Sequence, residues 1–258
     1  MKIIRDVLQD LYTRRLRRQL RHAPLPRHVG MIMDGNRRWA RQAGLAHASL
    51  GHQHGAEHVQ DVMGWCEDIG VHHMTVYLAS ADNLHKRDDD ETRFLLDVIE
   101  RIVVRRAVES DRWQVHVAGR LDLLPDSTRN ALKLAVEDTR DRDAEFHLTM
   151  AVGYDGRHEL VDAVRSLLDD KATTGTSLEE LASTLTADDI SRHLHGTGRP
   201  DPDLVIRTSG EVRMSGFLLW QAAYAELYFC DVHWPGFRHL DFLRALRSYA
   251  ARHRRRAA

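Results

Sequence analysis

Apolar residues along this chain fall into two recurring patterns. Short dense runs at 29–33, 74–79, 113–118, 146–152 and 204–206, with a last one near 227–230, read as buried strands. Longer stretches at 52–69, 89–109, 127–140, 157–169, 178–193 and 239–253 read as helices between them. Strands separated by helix-length segments predict an α/β fold with a mostly parallel sheet covered by helices on both faces. Residues 1–23 stand apart. Ile4, Leu8, Leu11, Leu16 and Leu20 recur at helical spacing among many arginines, and Pro24 and Pro26 follow. The expected organisation is an N-terminal basic amphipathic helical extension over 1–23 and one catalytic domain over 24–258. There is no internal repeat, and 171–177 reads as a polar loop.

Composition narrows the function classes. In 258 residues, 43% are hydrophobic and only six are proline, enough for a substantial core. A formal charge of -1 gives no reason to expect a nucleic-acid partner. Cys66 and Cys230 sit among apolar residues and are expected to be thiols in a reducing compartment. No uncharged stretch reaches the roughly 20 residues of a membrane span, so a cytoplasmic protein is expected. Two readings of the basic N-terminal helix stay open: packing on the domain or a partner copy, or resting on anionic lipid. The basic tail at 252–256 poses the same choice.

A parallel sheet binds ligands beyond the carboxyl ends of its strands. Asp34, Ser80, Asn83, Arg120, Tyr154, Arg157 and Arg207 follow those ends in the sequence. In MDGNRRW (33–39) a carboxylate suited to a hard cation precedes a turn-forming glycine and two arginines suited to phosphate. A helix over 38–44 would aim its free N–H groups at the same anion. RTSGEVRMSGF (207–217) places Arg207 and Arg213 six apart among Ser209, Gly210, Ser215 and Gly216, a second diphosphate clamp. Neither a Walker A nor a GxGxxG pattern occurs. Glu226 is a lone carboxylate in an apolar run. It is either a second metal ligand with Asp34 or the partner of an arginine. His52, His54 and His58 lack a zinc-site pattern, and His52, after Gly51, is the one that suits a phosphate. Asp88 to Glu91 read as a solvated helix start.

MDGNRRWA (33–40), DLVIRTSGEVRMSGFLLWQAAYAELYF (203–229) and the weaker GYDGRHELVDA (153–163) resemble the cis-prenyltransferases, the undecaprenyl diphosphate synthase-like or isoprenyl transferase family. The likeness runs from about residue 27 to 250. It implies a single α/β domain, a homodimer, and a hydrophobic tunnel for a growing isoprenoid chain. It further implies Mg²⁺-dependent condensation of isopentenyl diphosphate with an allylic diphosphate. By motif, Asp34 would bind Mg²⁺, with Glu226 completing the metal site. Gly35, Asn36, Arg37, Arg38 and His52 would surround the allylic diphosphate, with Trp39 lining its site. Asn83 would position the reacting groups, and Arg207, Arg213 and Ser215 would hold isopentenyl diphosphate.

The chain departs from the family pattern at 80–83, where SxEN reads Ser-Ala-Asp-Asn, at an arginine missing near His47 and Ala48, and at its RRRAA end. Leu78 is bulky where long-chain relatives are small, and 11–20 is similar to short-chain actinobacterial farnesyl diphosphate synthases. A C15 product from geranyl diphosphate is therefore expected. Alternatives are a longer polyprenyl glycan carrier, a coupling of two allylic diphosphates, and a catalytically silent partner subunit. Retention of Asp34, Arg207 and Arg213 speaks against the last.

Overall fold

In a computed structural model the described residues are 2–86 and 89–257. Side chains of 2–10, 85, 86, 89, 256 and 257 lie outside the description, as does Asp88, so the expectations for Ile4, Leu8 and Asp88 fall there too. The chain runs α1 (Lys2–Leu20), β1 (His28–Ile32), α2 (Asn36–Gln42), α3 (Leu50–Ile69), β2 (His73–Ser80) and α4 (Ala81–Lys86). α5 (Asp89–Val98), a π-helical segment (Ile99–Val104) and α6 (Arg105–Glu109) follow without a break. Then come β3 (Trp113–Ala118), α7 (Asp126–Thr139), β4 (Phe146–Tyr154), α8 (Gly156–Thr173), α9 (Leu178–Thr184) and α10 (Ala187–Ser191). β5 (Leu204–Arg207), β6 (Glu226–Phe229) and α11 (His239–Ala257) close the chain.

The six strands form one sheet in the order β3-β4-β2-β1-β5-β6, and every pairing is parallel. Side chains alternate across it. Val29 and Met31 of β1 enter the larger core, with Val59 and Cys66 of α3, Ile99, Leu132 of α7 and Leu243 of α11. Ile32 turns to the other face, where Val205, Tyr154, Phe217 and Leu218 make a smaller core. A Cβ at Gly30 would stand 3.0 Å from the Phe217 ring, so the small residue lets that ring close on β1. After β1 the chain leaves toward β2, whereas after β5 it leaves toward β6 on the opposite side. The gap between β1 and β5 is thus the switch point where such sheets bind ligands.

Some expected boundaries change. Residues 178–193 form two short helices, because Ser177 and Thr186 each cap a new helix start and Thr186 with Asp189 makes a capping box. The 89–109 helix widens at its π segment, where Glu100 accepts hydrogen bonds from the Thr128 and Ser127 hydroxyls at the start of α7. α4 went unread. α1 packs on the domain, since Leu16 and Leu20 are buried in the main core while Leu11 is exposed. Cys66 and Cys230 are free thiols, Cys66 fully buried and Cys230 partly so.

Three histidines line the amino-terminal end of the sheet, and a fourth, His116, lies beside them. His28, His73 and His147 are register partners on β1, β2 and β4, and the rings of His73 and His147 stack at 4.7 Å. His116 of β3 meets His147 nitrogen to nitrogen at 3.2 Å and receives Arg199 at 3.0 Å. His28 donates from Nδ1 to the Pro200 carbonyl at 2.7 Å and contacts the Thr75 hydroxyl through Nε2 at 2.8 Å. Burial pulls His28 and His116 down to about 4 and His73 to about 3, with Arg199 adding repulsion at each. These rings are therefore neutral in the fold and must charge in acid. A histidine held below its unfolded value stabilises the fold fully above about pH 6.5, and that stability is lost as pH falls toward 4. For buried His28 the linkage amounts to roughly 3 kcal/mol. The urea midpoint should fall steadily from pH 7 to pH 4.5, and His116→Gln should flatten that profile. A flat wild-type profile would mean the ladder is not held neutral.

Candidate active site

The sequence builds the site at the switch point because polar residues lie at or just past the ends of β1 and β5. The two strands run in register, with Ile32 beside Arg207, so Asp34 lies just beyond the level of Arg207. Gly35 then turns with φ 99° and serves as the N-cap of α2. A Cβ there would lie 2.8 Å from both the His233 ring and the Ser209 Cβ, so this turn admits little but glycine.

Asp34 is the hub. Its Oδ2 accepts from Arg207 Nη2 at 2.8 Å, its Oδ1 from the Gly35 amide at 2.7 Å, and its carbonyl from the Thr208 hydroxyl at 2.7 Å. Arg207 is nearly buried, and its Nη1 donates to the Ser215 hydroxyl at 2.8 Å and to the Arg213 carbonyl. Arg38 donates to Ser209 Oγ at 2.5 Å. Carboxylates meet the other basic side chains: Glu211 sits 2.6 Å from Arg213 and 3.6 Å from Arg38, and Glu91 is 3.4 Å from Arg37 and 3.6 Å from His52. The loop after β5 is strained, with Ser209, Ser215 and Leu218 all at positive φ. These ion pairs put acceptor oxygens where an anionic ligand would bring its own.

Around this hub lies a cleft of about 720 Å³. It gathers Asp34, Gly35, Asn36, Arg37, Arg38, His52, Asn83, Arg207, Arg213 and Ser215 at its walls, with Leu78 and Tyr77 at the apolar end. Below Leu78 only about 30 Å³ remains, bounded by Leu95, Ile99, Val103 and Trp234. Asn36 is pinned by donating to the Met33 carbonyl at 3.0 Å. Gly51 and Gly55 of α3 make room for it, since a Cβ at either would lie within 2.2 Å of an Asn36 oxygen. The Asn83 backbone N–H donates to Ser80 Oγ at 3.0 Å, which fixes α4 against the end of β2.

Several sequence expectations are redirected. Glu226 does not meet Asp34 within the chain. It is the register partner of Leu204 at the amino-terminal end of β6, three residues or roughly 10 Å along the strand from the level of Arg207. Arg252 of α11 meets it at 2.9 Å, the arginine pairing that the sequence left open. Trp39 does not line the cleft; its ring lies 5.0 Å from His54, on the side of α2 facing Gly236. Tyr154 is fully buried and donates to Glu159, and Arg120 pairs with Asp122, so neither serves the rim. Conversely Tyr77, Asp82, Asp155 and Glu211 line the cleft without having been singled out. Asp155 and Glu211 lay within recognised motifs, whereas nothing local marked Tyr77. Among the described residues no three histidine, cysteine or carboxylate side chains converge on one point. A hard cation here would take Asp34 and complete its shell with ligand and water oxygens, a habit that suits Mg²⁺.

A family model described as "Putative undecaprenyl diphosphate synthase" matches residues 32–257. The chain therefore belongs to the cis-prenyltransferase family and is a prenyl diphosphate synthase, a transferase of alkyl groups other than methyl. The chain is 59% identical to an isoprenyl transferase of Streptomyces fradiae, over 98% of each chain. It is 53% identical to the (2Z,6E)-farnesyl diphosphate synthase of Thermobifida fusca, over 99% of each, and 48% identical to that of Mycolicibacterium smegmatis, over 98% of this chain and 96% of the other. Among solved structures it is similar to lavandulyl diphosphate synthase from Lavandula x intermedia in complex with dimethylallyl diphosphate. That likeness has a TM-score of 0.79 and 31% identity, over 88% of this chain and 95% of the other.

Gly35→Ala tests the turn that carries Asp34. Its positive φ costs about 1–2 kcal/mol for an alanine, and the blocked Cβ position adds to that. Unfolding free energy should fall by ~2 kcal/mol in urea titration, and turnover at least tenfold. A variant as stable and active as the parent would show that the loop yields freely.

Proposed function

We propose that the chain condenses isopentenyl diphosphate with geranyl diphosphate to give (2Z,6E)-farnesyl diphosphate and free diphosphate, with Mg²⁺ and as a homodimer. The observation that carries the product length is the floor of the cleft, where Leu78 leaves about 30 Å³ beyond it. A further C5 unit needs about five more carbon atoms of apolar space, more than that remnant offers.

The charges divide into two sets. Asp34, the Gly35 turn, Asn36, Arg37, Arg38 and His52 surround the allylic diphosphate, and Arg207, Arg213 and Ser215 hold that of isopentenyl diphosphate. Substrate oxygens displace Glu91 and Glu211 from their arginines, so both clamps exchange one anionic partner for another. Asp34 would hold Mg²⁺, which when bound adds positive charge to the leaving diphosphate. The allylic C1–O bond breaks and its electron pair leaves with diphosphate. The π electrons of isopentenyl diphosphate form the new C–C bond, and a proton from C2 passes to a diphosphate oxygen, oriented by Asn83. Most of the rate comes from alignment and fixed positive charge.

Sizing the dephosphorylated products from isopentenyl diphosphate with dimethylallyl, geranyl or farnesyl diphosphate tests this reading. A single C15 cis product from geranyl diphosphate is expected, and Leu78→Ala should lengthen it by at least one C5 unit. A wild-type ladder past C30 would overturn the short-chain assignment.

The homodimer is supported by uncovered apolar surface. Val161, Val164 and Leu168 form an exposed stripe on α8, and Leu219, against the first turn of that helix, and Tyr224, 94% exposed, continue beside it. Exposed apolar side chains grouped this way mark association surfaces. Sedimentation should give a dimer, and Val164→Arg with Tyr224→Arg should give a folded monomer. A wild-type monomer at micromolar concentration would refute the assignment.

A further inference from the structure

Two basic segments, more than 200 residues apart, become one surface. Residues 11–22 hold five arginines and no carboxylate, and residues 242–258 hold six arginines and no carboxylate, in a chain whose formal charge is -1. The fold lays α1 along α11. Leu16 and Leu20 enter the core beside Leu240, Leu243 and Leu246, which fixes the opposite face of α1 toward solvent. Tyr12 ties the helices together. Arg247 donates to its hydroxyl at 2.8 Å, and the guanidinium groups of Arg244 and Arg247 stand 5.7 and 6.0 Å from its ring centre.

Some of these cations are already used inside the fold. Arg17 pairs with Asp68, Arg244 with Asp241 and Arg252 with Glu226. Arg14, Arg15, Arg18 and Arg21 on α1, and Arg254 and Arg255 on α11, are exposed, and among the described residues none has a carboxylate within 4 Å. Arg14, Arg18 and Arg21 follow at i, i+4 and i+7, so they share one side of the helix. Leu11, 58% exposed, lies one turn before them. Like charges clustered on two packed helices repel one another, and anions brought from outside relieve that repulsion.

We propose that the α1–α11 surface docks the protein on anionic phospholipid. Charge complementarity selects the occupant. A second copy of the same face would set arginines against arginines, because a twofold contact is self-complementary. A lipid surface supplies a plane of phosphates, and the long arginine stems let the guanidinium groups reach it while Leu11 meets the acyl boundary. No helix among the described residues is long and apolar enough to cross a membrane, so the contact is peripheral. The inference is independent of the substrates proposed above, and none of these arginines lines the catalytic cleft.

Full-length protein is sedimented with vesicles of phosphatidylcholine alone, and of phosphatidylcholine with about a third phosphatidylglycerol, at about 50 and 300 mM salt. Binding only to the anionic vesicles is expected, weakening at the higher salt. Replacing Arg14, Arg15, Arg18, Arg21, Arg254 and Arg255 by glutamine should reduce partitioning at least 100-fold, with turnover on soluble substrates unchanged. Equal binding to neutral vesicles, retention of binding by the variant, or binding to a DNA duplex but to neither vesicle would overturn the proposal.

Discussion

The ion pair between Asp34 and Arg207 joins the two strand ends on which the site is built. It spans β1 and β5 at the point where the chain diverges to opposite sides of the sheet. Arg207 is almost wholly buried, and a buried guanidinium left without its carboxylate would be costly. Each partner is also held by neighbours that belong to the site: Gly35 and Thr208 fix Asp34, while Ser215 and the Arg213 carbonyl fix Arg207. Asp34 nevertheless keeps about a third of its side chain exposed. One carboxylate can thus hold the scaffold and still face a ligand.

That arrangement explains why strain is concentrated where it is. Gly35 takes a left-handed turn with no room for a side chain, and Ser209, Ser215 and Leu218 take such turns with one. All four lie in the two loops that carry the ion pair. Phe217 between them is buried against Gly30 and stacks on Tyr77, so the strained loop is anchored by aromatic packing in the smaller core. Packing energy in that layer offsets the local backbone cost. A charged rim and an apolar floor thus meet at the end of one sheet, whose two faces have different cores.

The opposite end of the sheet has a different chemistry. Four histidines and Arg199 cluster there without a carboxylate within ion-pairing distance of Arg199 among the described residues, and the rings persist because they are neutral. Glu226 and Arg252 also pair at this end. The charged cleft opens at the carboxyl ends of the strands, while the amino ends carry groups that pair within the fold.

Much of this was legible in the residues themselves. All six strands lay where dense apolar runs predicted them, the first and last displaced by one residue, and MDGNRRW and RTSGEVRMSG marked both halves of the cleft. Those features are local: a strand's burial, a glycine turn and an arginine next to a hydroxyl are written in consecutive positions. Register and facing are not. Glu226 sits in a motif with Arg207 yet at the far end of its strand. Trp39 adjoins two cleft arginines yet points to the other side of α2, and Tyr77 became a wall only because β2 lies beside β1. The basic helix and the basic tail were each ambiguous alone. Only the burial of Leu16 and Leu20 against α11 made them one charged face, because contacts across the whole chain are set by packing and carry no local signature.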